Sequence, residues 1–346
     1  MLRRIVLCLL VAGCGASHGN GGGGGAGGGG GGGAGGGGGG AGGGADGGAL
    51  AGTYVNATFT NDQGSRDYRA YIPSGYVAGT PIPLVVFLHG CGESLDHAEA
   101  ATRLTALAEA RTFAVVYPAQ AASANPSTCW NWFLAADQAR DRGEPSIIAG
   151  ITRAIMSDWS IDAARVYVIG VSAGGAMSGV MGATYPDLYG AIGVVAGCEY
   201  DGLPCGSSGG PDPLTEGQSA YQAMGGNARV VPVIVFHGDA DPIAAPVNGQ
   251  QVTDQWVATD DWADDATHDG SIAATPSAQD TGQVPGGESW DRNRYSRGAS
   301  LVVEQWIIHG MGHAWPGGDA SLAFTDASAP DATTLAYDFF LAHPRN

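Results

Sequence analysis

The chain has 346 residues and a formal net charge of −18 at neutral pH. That length allows one large domain with a full core. The acidity, with no basic patch interleaved with aromatics, excludes nucleic acid and anionic lipid surfaces as electrostatic partners.

Met1-Leu2-Arg3-Arg4 leads into a short apolar run that ends at Val11-Ala12-Gly13-Cys14. Two arginines, a brief apolar stretch and small residues make a secretory signal, too short to span a bilayer stably. The last four residues have the pattern of a bacterial lipobox. Residues 1–13 are therefore expected to be a lipoprotein signal, with Cys14 as the lipidated residue. An ordinary secretory signal cut nearby is the alternative. The expected location is extracytoplasmic: a membrane-anchored lipoprotein facing the periplasm or the cell surface, or a secreted protein.

Residues 19–50 are mostly glycine. Glycine loses the most backbone freedom on ordering and has no side chain to bury, so a flexible linker is expected over residues 15–52. The folding domain then covers residues 53–346.

Within that domain, residues 53–60 and 67–72 alternate polar and apolar side chains around a turn signal, Asn61-Asp62-Gln63-Gly64. This predicts an antiparallel hairpin. Continuous apolar runs at 83–88, 113–117, 166–169, 191–196, 230–236 and 301–309 predict strands covered on both faces. Helical spacing predicts helices over 97–110, 146–159, 173–185 and 333–343. Residues 253–297 carry no clear period and are expected to be a helix plus a long loop near the top of the site. Their aspartates (Asp260, Asp261, Asp264, Asp265, Asp269) lack calcium-loop spacing and are expected to be a solvated cluster. Strand–helix alternation predicts an α/β fold, a mostly parallel sheet with helices on both faces.

Gly170-Val171-Ser172-Ala173-Gly174 follows one of these strands and opens a helix. In that context G-x-S-x-G is the sharp turn that lifts a serine hydroxyl over a sheet. A serine needs a base, and the base needs an anion to fix its tautomer. Downstream, His237-Gly238-Asp239-Ala240-Asp241 and His309-Gly310-Met311-Gly312-His313 both follow strand ends, where ligands bind in open α/β sheets. Asp241 is expected to be the acid, because it reaches further over the sheet than Asp239. His313 is expected to be the base, because it lies in a loop of turn-forming residues, whereas His309 is expected to pack at the strand end. His237 is expected to shape its strand end. His97, His268 and His343 are expected at the surface. The oxyanion donors are expected to be the backbone N–H groups of Ala173 and Cys91, the latter in the loop after Leu88.

Four cysteines lie in the folding part: Cys91, Cys129, Cys198 and Cys205. An even number in an exported chain suggests two disulfides. Cys198 with Cys205, and Cys91 with Cys129, is the expected pairing, although the sequence alone allows three connectivities. No metal site and no cofactor are expected.

Leu88-His89-Gly90-Cys91, Cys129-Trp130-Asn131-Trp132-Phe133, the serine motif with Gly175-Ala176-Met177, His237-Gly238 with Asp241, and Gly312-His313-Ala314-Trp315-Pro316-Gly317-Gly318 together resemble the esterase family of extracellular poly(3-hydroxybutyrate) depolymerases. That family also contains feruloyl and acetylxylan esterases of the carbohydrate-esterase type. The resemblance implies an α/β-hydrolase fold, Ser172 as nucleophile, Asp241 as acid, His313 as base and an oxyanion role for Cys91. It also implies Trp130, Trp132 and Trp315 as pocket walls. The implied activity is serine carboxylic-ester hydrolysis on hydroxyalkanoate esters or oligomers. A feruloyl or acetylxylan esterase is the alternative, and a non-catalytic binding lipoprotein on the same scaffold is a second. The chain ends three residues after His343, so soluble substrates are expected over crystalline polymer. No obligate protein partner is expected.

Overall fold

The computed structural model describes residues 51–345. The expected signal, Cys14 and nearly all of the glycine linker lie outside the described residues.

The parallel centre of the sheet is built from six strands: β3 (Ile82–Leu88), β4 (Ala114–Pro118), β5 (Ile161–Val171), β6 (Ile192–Val195), β7 (Val233–Gly238) and β10 (Ser300–Ile308). Their apolar runs are continuous because both faces are covered. Along β3, Leu84, Val86 and Leu88 enter one core while Val85 and Phe87 enter the other. An antiparallel hairpin closes each edge. One is β1 (Thr53–Asn61) with β2 (Gly64–Ile72), and the other is β8 (Ala278–Gln283) with β9 (Ser289–Arg297). Among the described residues these ten strands form one sheet in the order β1-β2-β4-β3-β5-β6-β7-β10-β9-β8.

Helices α1 (Leu95–Thr102), α2 (Leu104–Arg111) and α7 (Ala332–Ala342) supply one core. Helices α3 (Gly143–Asp158), α4 (Ala173–Thr184), α5 (Pro213–Met224) and α6 (Pro246–Asp265) supply the other. This is the expected α/β-hydrolase architecture. Every residue of α4 is buried, so its small side chains (four glycines and three alanines among twelve) let it lie tight under the sheet.

Three expectations are corrected. The single helix over 97–110 is two, because Arg103 sits in the left-handed region at φ 55° and ends α1. Its guanidinium donates to the Gly317 carbonyl, a contact that a continuous helix would not aim. The expected long loop within 253–297 is instead the β8–β9 hairpin at the sheet edge, held by Asp280 against Arg292 and Arg294. Asp265 and Asp269 are exposed as expected, but the other three aspartates are withdrawn from solvent. Asp260 and Asp261 are fully buried, and Asp261 accepts from the amides of Gly270 and Ile272 and the Ser271 hydroxyl. Asp264 pairs with Arg297.

Candidate active site

β5 runs directly into α4, and Ser172 is the corner. Its backbone sits at φ 57°, ψ −122°, a strained conformation for a residue with a side chain. The turn is tight enough to require its glycines. A Cβ on Gly174 would lie 2.0 Å from the Leu88 carbonyl oxygen, and one on Gly170 would lie 2.3 Å from the Gly174 carbonyl oxygen. The Ser172 amide is fixed by the Val195 carbonyl at 2.9 Å. Among the described residues its hydroxyl makes no hydrogen bond.

The loop after β7 carries Asp241, which is buried. Its Oδ1 accepts from the amides of Ile243 (2.8 Å) and Ala244 (2.9 Å). Its Oδ2 accepts from His313 Nδ1 at 2.7 Å. Burial works to raise this carboxyl, but the bond and charge of His313, with the Ile243 amide, outweigh it and hold it below the usual aspartate value. His313 Nδ1 is thus the donor, which leaves Nε2 as the free, proton-accepting nitrogen. His237 lies beneath. It is buried, bonds the Ala244 carbonyl through Nε2 at 2.7 Å, and is kept neutral by desolvation. It supports the acid loop from below, as expected of a residue shaping the strand end.

His309 does not pack at the strand end as expected. It is 37 % exposed, and its Nδ1 lies 2.8 Å from Asp239 Oδ2 while its Nε2 lies 3.4 Å from Asp291 Oδ2. The two rivals for the acid and base roles therefore pair with each other. His268 is exposed, but His97 is only partly so, and His343 is half-buried between the Phe339 and Leu301 carbonyls.

The loop after β3 approaches the serine corner. A Cβ on Gly90 would touch Ser172 Cβ at 3.4 Å. His89 is buried and holds this loop in one tautomer. Its Nδ1 donates to the Gly90 carbonyl at 2.7 Å, and its Nε2 accepts from the Gln120 amide at 3.0 Å. The Gly90 amide is taken by Glu93 and the Gly92 amide by Ser127 and Thr128. The Cys91 amide between them makes no hydrogen bond among the described residues, and neither does the Ala173 amide that opens α4. Both are free donors, and a helix N-terminus favours an anion there.

Cys91 is bonded to Cys129, and Cys198 to Cys205. Two disulfides are the mark of an extracytoplasmic protein. The Cys129 segment is organised by a residue that sequence reasoning missed. Glu144, at the start of α3, accepts from the Asn131 amide (2.7 Å), Asn131 Nδ2 (2.8 Å) and Arg66 (3.0 Å). Its only sequence signal was an acidic residue in the first turn of a helix.

The tryptophans need correction. Trp130 is fully buried beside the His89 ring, and Trp315 is 2 % exposed, edge-on to Phe87 and bonded to Thr333. Both are core residues rather than pocket walls. Trp132 is at the edge of burial, against Phe133.

The chain is similar in sequence and fold to known proteins. The family model described as Esterase PHB depolymerase matches residues 66–276, a span that takes in Ser172 and Asp241 and ends before His313. Poly(3-hydroxyalkanoate) depolymerase C of Paucimonas lemoignei is 33% identical over 269 residues, which are 75% of this chain and 61% of the depolymerase. The chain thus spans less than two thirds of that relative's length. Feruloyl esterase B of Neurospora crassa is 25% identical over 266 residues, 71% of this chain and 82% of the esterase. The solved acetyl xylan esterase from Aspergillus awamori shares the fold, with a TM-score of 0.63 at 19% identity over 83% of this chain and 99% of that one. The chain belongs to the esterase PHB depolymerase family.

Proposed function

We propose that Ser172, His313 and Asp241 form the catalytic triad of an extracytoplasmic serine esterase acting on hydroxyalkanoate esters or oligomers. The observation that carries this reading is the 2.7 Å bond from His313 Nδ1 to a buried Asp241 carboxylate, on loops that follow the same sheet edge as the Ser172 corner. His313 Nε2 takes the Ser172 proton as Oγ attacks the ester carbonyl. The Cys91 and Ala173 amides receive the charge that develops on the carbonyl oxygen. The tetrahedral intermediate collapses, the acyl–oxygen bond breaks, and His313 returns its proton to the leaving alkoxide. Water then enters, gives a proton to His313 and attacks the acyl-enzyme. Collapse frees the acid and restores the serine.

The test is Ser172→Ala. It abolishes hydrolysis of a short p-nitrophenyl ester and labelling by a fluorophosphonate, with an unchanged circular dichroism spectrum. Full retained activity removes Ser172 from the mechanism. A wild-type chain that neither hydrolyses the ester nor reacts with the fluorophosphonate would instead favour a binding role for the scaffold.

The relation to feruloyl esterase B supports a second substrate reading, esters of plant polysaccharides. Product analysis on hydroxybutyrate oligomers against feruloylated and acetylated xylan fragments separates the two. We further propose that Cys14 carries a lipid and that the glycine tract spaces the enzyme from a membrane. Two or three acyl chains at ~0.8 kcal/mol per buried CH₂ would anchor it stably. Cys14→Ser then moves the protein from the detergent phase to the aqueous phase. Unchanged partition removes the anchor.

A further inference from the structure

Phe324 is an exposed aromatic residue in a backbone conformation that costs energy. It lies in the loop joining β11 (Trp315–Pro316) to β12 (Thr325–Asp326), two short parallel strands. Its φ is 58°, in the left-handed region that disfavours bulky side chains. Such strain persists only where the surroundings fix it. Here they do. The Phe324 carbonyl accepts from the Trp315 amide at 2.8 Å, and the Gly317 amide donates to Asp326 at 2.7 Å. The Thr325 hydroxyl bonds the Leu322 carbonyl at 2.9 Å. Asp319 takes the amide and hydroxyl of Ser321, while its own amide donates to Ala101 in α1.

Core packing does not compensate for the strain, because Phe324 is 51% exposed. Its ring instead stands beside the His313 imidazole, with centroids 6.5 Å apart and planes at 86°. The sequence carries no sign of this. Phe324 lies in a stretch of small and polar residues, and only the β11–β12 pairing brings it back to the base.

The position defines which part of a substrate it can meet. In the mechanism above the acyl group is bonded to Ser172, and the alcohol leaves with a proton from His313. A group at the His313 edge therefore faces the alcohol portion. We propose that Phe324 is a specificity-determining residue that forms the wall of the leaving-alcohol site and selects esters whose alcohol presents an apolar face. The inference rests on the assignment of Ser172 and His313. Its ligand class is the aliphatic or ring-bearing alcohol half of an ester, which includes the hydroxyl-bearing chain of a hydroxyalkanoate unit.

The test uses two ester series with the full chain. One holds butyrate constant and varies the alcohol through methyl, butyl and benzyl. The other holds the alcohol constant and lengthens the acid. In Phe324→Ala the benzyl-to-methyl ratio of kcat/KM falls roughly tenfold, the scale of one aromatic face contact. The dependence on acid length and the rate of acyl-enzyme hydrolysis do not follow it. An unchanged benzyl-to-methyl ratio overturns the proposal, as does an equal shift in the acid series. Should Phe324→Ala not fold, Phe324→Leu keeps apolar bulk without the flat face, and the same ratio falls about threefold; an unchanged ratio there again overturns the proposal. Ser172→Ala, measured alongside, keeps the two readings apart. If it is inactive while the ratio is unmoved, the esterase stands and the alcohol wall does not.

Discussion

His309 Nδ1 lies 2.8 Å from Asp239 Oδ2, so the histidine and aspartate that compete in sequence for the catalytic roles are bound to each other. The pairing follows from register. In the parallel β7–β10 ladder Ile308 lies opposite Gly238, which sets His309 and Asp239 side by side at the strand ends. The Asp239 amide donates to Ile308 and the Ala240 amide to Met311, so the acid and base loops are stitched together here. His313→Gln should therefore cost on the order of 10³-fold or more in kcat. His309→Gln should cost within about tenfold, as a loss of loop positioning. Steady-state kinetics on one p-nitrophenyl ester compares them, and a larger loss in His309→Gln than in His313→Gln would reverse the assignment.

The same pair has a pH signature. The Asp239 bond raises His309 above the usual histidine value, with Asp291 adding to it. A raised histidine contributes stability that is complete below its unfolded value of about 6.5 and is lost as pH rises through its folded value. Thermal melts of wild type should decline over that window more than melts of His309→Gln. Parallel curves would show that the ion pair does not stabilise the fold. The effect is small, because both side chains are more than a third exposed.

How much of this was legible depends on what each segment buries. The central strands were readable because both faces are covered, which leaves a continuous apolar run such as Leu84–Leu88. The serine corner was readable because its glycines are sterically compelled. The β8–β9 hairpin was not, because its cross-strand contacts are Asp280 with Arg292 and Arg294, and charged pairs leave no apolar alternation. Helix α5 was missed despite a start signal, Asp212 capping Thr215 with Pro213 in the first turn. The choice between Asp239 and Asp241 was open to geometric argument, but the partner of His309 depends on strand register, which no local pattern encodes.

Glycine at position 174 is a steric requirement. An alanine there would set its Cβ 2.0 Å from the Leu88 carbonyl oxygen, inside buried backbone that has no flexible end to move. Gly174→Ala should cost about 3 kcal/mol in urea unfolding and reduce activity with it, since the same shift tilts Ser172. A variant of wild-type stability and activity would mean that the corner is looser than this geometry requires.

The Cys91–Cys129 bond spans 38 residues and holds the loop that carries the Cys91 amide. Loop-closure entropy for that span is worth roughly 4 kcal/mol. Cys91→Ala with Cys129→Ala keeps the backbone amide but frees the loop. We expect a loss of about 2–4 kcal/mol in stability and a fall in kcat larger than any rise in KM, because the amide acts on charge present only in the transition state. A rise in KM alone would place the loop in ground-state binding instead.

Glu199 gives the sharpest stability test. It sits in the Cys198–Cys205 loop near the start of α5, is 2 % exposed, and neither carboxyl oxygen has a hydrogen-bond partner among the described residues. Gly202 and Gly210 leave the space it fills, since a Cβ on either would collide with it. Burial is the main cause that pushes its carboxyl up to about 8. Glu216 from α5, Asp212 at its N-cap and Asp254 from α6 add to the shift. The folded chain then keeps a proton that the unfolded chain releases near its ordinary value of 4.5. Stability must fall as pH rises from about 4.5 to about 8, and level off above. Glu199→Gln removes that proton release. Its melting temperature should exceed that of wild type at pH 9, with a flatter profile between those limits. If the two profiles run parallel, Glu199 is already ionised in the folded protein, and a cation or water must be supplying the partners its oxygens lack.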